Sequence, residues 1–98
     1  DLDIMVRLRN GERIDGWRFE VREERVGYWH EFWYHGDQLV YQESYNDFTG
    51  HEAIDYRTNT VWIQDDNVED WFDRQVRQFY ANMTIYYVVG NVYAVNHP

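Results

Sequence analysis

Between residues 66 and 83 the apolar positions recur at steps of three and four, the clearest helical signature in the chain. Val68, Phe72, Val76, Phe79 and Met83, flanked by Trp71 and Tyr80, fall on one stripe of a 3.6-residue period and predict an amphipathic helix over 66–83. Asp66 followed by Glu69 reads as an N-cap with its capping-box partner, and Asp70 adds negative charge to the first turn. Arg74 and Arg77 come later, as the helix dipole favours. Such a stripe needs a surface to cover, and most of the remaining chain alternates apolar with polar residues. The predicted fold class is therefore α+β, a curved antiparallel sheet of about four hairpins packed on that single helix.

The hairpins can be placed by their turns. Leu2, Ile4, Val6 and Leu8 alternate with Asp3, Met5, Arg7 and Arg9 at the period of a half-buried strand, and Asn10-Gly11 supplies a turn. A bulge at Asp15-Gly16 brings the return strand into register, so that Leu8 faces Ile14, Val6 faces Trp17, Ile4 faces Phe19 and Leu2 faces Val21. The charged run 22–25 reads as a solvated connection. A two-residue turn at Gly36-Asp37 pairs Tyr34 with Leu39, Phe32 with Tyr41, His30 with Glu43 and Tyr28 with Tyr45, leaving rings on both sides of the ribbon. Residues 46–52 read as a loop. Thr58-Asn59 turns a third hairpin, pairing Tyr56 with Val61 and Ile54 with Ile63 and leaving Trp62 outside. Gly90-Asn91 turns a fourth, in which Tyr87 and Val89 share a face with Val92 and Ala94. Being apolar on both sides, this last ribbon is expected to be central or buried.

With 98 residues, the chain is expected to form one compact domain over 1–98. Aromatic residues make up 19% of it, so rings must supply much of the core. There is no Cys, which excludes disulfides and thiolate metal sites. No apolar run approaches the roughly 18 residues of a membrane span, and no charged-then-apolar leader opens the chain, so a soluble, cytoplasmic protein without a membrane partner is expected. The formal net charge of −9 disfavours direct nucleic-acid binding, because phosphate contacts need a basic face. All 9 basic residues are Arg.

The candidate chemistry is sparse. His30 and His35 lie on opposite faces of one strand and cannot share a metal, and no cofactor motif is present. The registered pair His30 and Glu43 is the one candidate for general acid–base work, since a carboxylate opposite an imidazole orients it and raises its basicity. Ser44, the only serine, sits in no strained elbow, and His51-Glu52 lies on the predicted loop.

What remains is a surface of rings beside carboxylates. Trp29, Trp33 and Trp62, with Asp65, Asp66, Glu69, Asp70 and Asp73, form the candidate partner-binding set, directed at a basic protein surface. In composition the chain is similar to small acidic phage and plasmid proteins that inhibit nucleases or CRISPR effectors. That similarity covers no motif and carries over no residue role. The expected function is a non-enzymatic protein-binding module of this inhibitor type. The alternatives are a small ligand-binding or enzymatic domain using His30 and Glu43 in a ring-lined pocket, and a homo-oligomer that buries the rings of its second hairpin on itself.

Overall fold

The structure, a computed structural model, describes residues 2–48, 50–65, 79–89 and 92–97. Among them a short helix α1 (Leu2–Arg9) precedes seven strands: β1 (Trp17–Arg25), β2 (Tyr28–His35), β3 (Gln38–Asn46), β4 (Gly50–Asp55), β5 (Thr60–Asp65), β6 (Thr84–Val89) and β7 (Val92–Asn96). The strands form one sheet in sequential order. Every neighbouring pair is antiparallel except β5 and β6, which run parallel. The fold is α+β and mostly sheet. No helix among the described residues is long and apolar enough to cross a membrane.

The N-terminal segment corrects the first expected strand. Met5 and Leu8 are buried, with Ile4 packed beside them, while Leu2 and Val6 are exposed, which is a helical spacing. The Asn10-Gly11 pair serves this helix. Gly11 adopts φ +91°, its N–H donates to Leu8 O at 3.0 Å, and the Glu12 N–H donates to Arg7 O at 3.0 Å, the two bonds of a Schellman cap. The glycine that suits a tight hairpin also ends a helix. Asp3 in the first turn, Arg7 and Arg9 in the last, and an Arg7–Asp3 pair at 3.6 Å support the helical choice. Ile4, Leu8, Ile14, Trp17 and Phe19 still gather in one cluster, but through helix-on-sheet packing.

Three further boundaries move. The charged run 22–25 continues β1, which turns at Val26-Gly27 into β2. Asn46 ends β3 and residues 50–52 open β4, and the two strands pair from Tyr41↔Asp55 to Asn46↔Gly50. The third turn spans 56–59, so Ile54 pairs with Val61 rather than Ile63. That shift of two residues keeps the predicted faces. The fourth hairpin keeps its predicted register, Val89↔Val92 through Ile85↔Asn96, although β7 lies at the sheet's edge rather than its centre.

The predicted helix falls largely on residues 66–78, outside the described residues. Within its expected C-terminal turn Phe79 is helical and 80–83 is not, so the helix does not extend to Met83. The parallel pairing of β5 and β6 explains why a long segment is inserted here. A chain entering a parallel strand must first return to the starting end of the previous one, which no tight turn achieves.

Hydrophobic clusters occupy both faces of the sheet. Met5, Leu8, Trp33 and Val40 lie on the face covered by α1, where Trp33 Nε1 donates to Met5 O at 3.1 Å. Ile54, Val61, Ile63 and Ile85 lie on the other, with Tyr80, Met83 and Tyr87 against them. Of the Trp, Tyr and Phe rings on the second hairpin Trp33 is buried and the others are half-buried, because side chains of the neighbouring strands pack beside them. Trp33 is under α1, and the guanidinium groups of Arg18 and Arg22 lie over Tyr34 and Phe32 at 4.0 and 5.0 Å. A planar guanidinium can lie flat on a ring in addition to the charge attraction that any cation has for it, giving arginine a local physical use at these positions.

Candidate functional site

The predicted catalytic pair His30 and Glu43 is not formed. After Tyr34↔Leu39 the register slips so that Trp33 pairs with Tyr41, leaving Val40 as the extra residue of a bulge. Both Val40 and Tyr41 then pack against the α1 cluster. Below the bulge every partner moves by one, so His30 faces Ser44 and Glu43 faces Glu31. The two predicted partners therefore sit on opposite faces of the sheet.

His30 Nδ1 lies 2.8 Å from Ser44 Oγ, and its Nε2 lies 3.4 Å from Glu24 Oε1. A carboxylate, an imidazole and a hydroxyl in series resemble an activated nucleophile in connectivity. However, Ser44 is mid-strand, paired with His30 on one side and Glu52 on the other, so the surrounding backbone is engaged in the ladder and builds no oxyanion hole. This arrangement acts as a cross-strand tie. His35 stacks on Trp17 at 4.4 Å on the opposite face, as expected of residues an odd number apart.

Glu43 belongs instead to a network that joins α1 to three strands. Arg9 reaches down from the end of α1 and donates from Nε to Glu31 at 2.8 Å and from Nη2 to Glu43 at 2.9 Å. Tyr41 donates to Glu43 at 2.9 Å, Tyr45 donates to its other oxygen, and Trp29 Nε1 donates to Glu31 at 3.0 Å. His51 stacks on Tyr45 at 4.4 Å, and Tyr45 stacks on Trp29 at 4.9 Å. His51 Nε2 is 3.7 Å from Glu43, too far for a hydrogen bond. Burial alone would raise the Glu43 carboxyl. The approach of His51, the hydroxyls of Tyr45 and Tyr41 and the charge of Arg9 outweigh it and hold the group at about 2. Burial and the Glu43 carboxylate push both phenols above their ordinary range. At neutral pH each of these three groups is held in one protonation state, which suits a clamp better than a proton shuttle.

The predicted partner-binding residues divide. Trp33 is 0% exposed and belongs to the core, and Asp65 is 8% exposed at the end of β5, so neither presents itself to a partner. Trp29 is half-buried within the network. Asp66, Glu69, Asp70 and Asp73 lie outside the described residues. Trp62 is 42% exposed, as the outward side of β5 requires.

Around Trp62 the structure gathers residues that the sequence did not single out. Tyr86 on β6 is its register partner, with the rings 15° from parallel and their centroids 6.0 Å apart. Tyr93, 81% exposed, and Val95 follow on β7, while His51 and Gln64 stand on the interior side. Together they line an open groove of about 540 Å³. The pairing across β5 and β6 was not foreseeable, since it joins two strands separated by the whole inserted segment. On the opposite face Glu52 is likewise strand-bound, and accepts from Tyr80 OH at 2.6 Å. Burial raises its carboxyl against the lowering effect of that bond.

Compared with family models, with curated proteins and with solved structures, the chain matches none of them.

Proposed function

We propose that this chain is a small, acidic, non-enzymatic protein-binding module that docks on a basic protein surface, with Trp62 and Tyr86 as its ring anchors. The observation that carries the reading is the solvent-exposed Trp62–Tyr86 pair, held on adjacent strands in an open groove of a chain with net charge −9. Neighbouring rings on a rigid sheet give contact area at low entropic cost, and their faces attract an arginine or lysine side chain. The net charge of −9 attracts a basic partner to the chain, and the ring pair supplies the contact. A protein groove that ordinarily holds phosphates is the concrete form of such a surface. The similarity in composition to small acidic inhibitors of nucleases points the same way.

A direct test titrates a short arginine-containing peptide into the protein while following tryptophan fluorescence, alongside the same peptide with citrulline replacing arginine. The reading expects the arginine peptide to bind more tightly, and Trp62→Ala to weaken it by roughly tenfold or more with the circular dichroism unchanged. Equal binding of both peptides, or full affinity in the Trp62→Ala variant, would remove the groove from the proposal.

A further inference from the structure

The two edges of the sheet are built in opposite ways. β1 carries Arg18, Glu20, Arg22, Glu23, Glu24 and Arg25, a density of charge that discourages another strand from pairing with it. β7, at the other edge, reads Val-Tyr-Ala-Val-Asn and has no such protection. Indeed, no Asp, Glu, Arg or Lys follows Arg77 anywhere in the sequence, so the chain's formal side-chain charges all lie before β6 and β7. Tyr93 and Val95 are exposed on this uncharged edge. An edge strand that is neutral and apolar, with Tyr93 and Val95 open to solvent, is a template for a further strand.

We infer that the occupant of the β7 edge is β7 of a second copy, paired antiparallel about a two-fold axis through Ala94. That register alone overlaps all of β7, from Val92 against Asn96 to Asn96 against Val92. It sets Tyr93 of each copy opposite Val95 of the other, an aromatic and β-branched cross-strand pair on the face that bears the groove. Charge distribution favours a second copy despite the net charge. Among the described residues the nearest strand carrying a formal charge is β5, two strands from the edge. The two β5 strands of the dimer are then five strand spacings apart, about 24 Å, or roughly three Debye lengths at physiological salt. Repulsion between these charges of the described residues is correspondingly screened. The pairing makes one continuous sheet and brings the two ring-lined grooves together across the axis, leaving the charged β1 edges outermost. It does not depend on the identity, or the existence, of a basic partner.

Sedimentation equilibrium up to about 100 µM tests the proposal. The parent should dimerise, with a dissociation constant that changes by less than about threefold between low and high salt. Val95→Lys and Tyr93→Lys alter side chains already exposed in the monomer, so the fold is retained, and each should weaken the dimer by roughly 100-fold. Because the chain has no Cys, Ala94→Cys adds a single thiol that should link two copies through a disulfide under mild oxidation. Val21→Cys on the β1 edge should not. A parent that remains monomeric at the highest concentration, a dimer that survives both lysine variants, or an Ala94→Cys dimer that does not cross-link would each overturn the assignment.

Discussion

Replacing Glu43 by Gln tests whether its network stabilises the fold through charge. The side chain keeps its shape and the hydrogen-bonding partners stay in place, but the carboxylate that Arg9, Tyr41 and Tyr45 address is gone. A fall from an ordinary 4.5 to about 2 corresponds to roughly 3 kcal/mol. Arg9 is 40% exposed and keeps its bond to Glu31, so solvent screening reduces the expected loss to roughly 2 kcal/mol at neutral pH. A carboxyl whose folded value is depressed contributes its full stabilisation above 4.5 and loses it as pH falls toward about 2. Protonated Glu then resembles Gln. Urea unfolding of parent and variant, followed by tryptophan fluorescence at a series of pH values, should therefore give curves that converge on acidification. Other acidic groups titrate in both proteins and cancel in the difference. A neutral-pH difference below about 0.5 kcal/mol, or one that stays constant down to strongly acidic pH, would show that Glu43 acts through packing or not at all.

Three backbone and core substitutions test the fold. Trp33→Ala should cost about 3 to 5 kcal/mol in urea unfolding, because it empties the centre of the α1 cluster, and a loss below about 1 would mean that α1 does not cover it. Gly50→Ala should abolish cooperative thermal unfolding, since a Cβ there would collide with the Gln64 carbonyl and stand 3.0 Å from Asp65 Cα at φ +142°. Gly11→Ala, at φ +91° in open space, should cost only about 1 kcal/mol and serves as its control; comparable losses in the two variants would refute the close approach of β4 and β5.

Local turn chemistry made several strands legible. Gly36-Asp37 and the register around Gly90-Asn91 could be placed because two-residue hairpins demand particular backbone angles, and those angles select particular residues. The outward position of Trp62 followed from alternation alone, since a strand's side chains change face at every residue. Where two structures share one local signal, sequence could not choose. Asn10-Gly11 suits a hairpin and a helix cap alike, and Leu2 to Leu8 carries both a period of two and a burial pattern centred on Met5 and Leu8. The choice fell to the helix because Trp33 and Val40 needed cover on that face.

Long-range pairing decided the sites. A single extra residue at Val40 moved Glu43 from His30 to Glu31 and from one face to the other, and only the cluster beneath α1 gives that bulge its reason. Parallel pairing of β5 with β6 brought Trp62 to Tyr86, and sequential strand order left β7 at an edge. By itself the sequence determined the alternation, several turns, the acidity and the shortage of nucleophiles, because each depends on residue type or on near neighbours. The bulge, the Arg9 clamp and the ring-lined groove depend on which distant segments share a surface, a choice made by the free energy of covering both faces of the sheet at once.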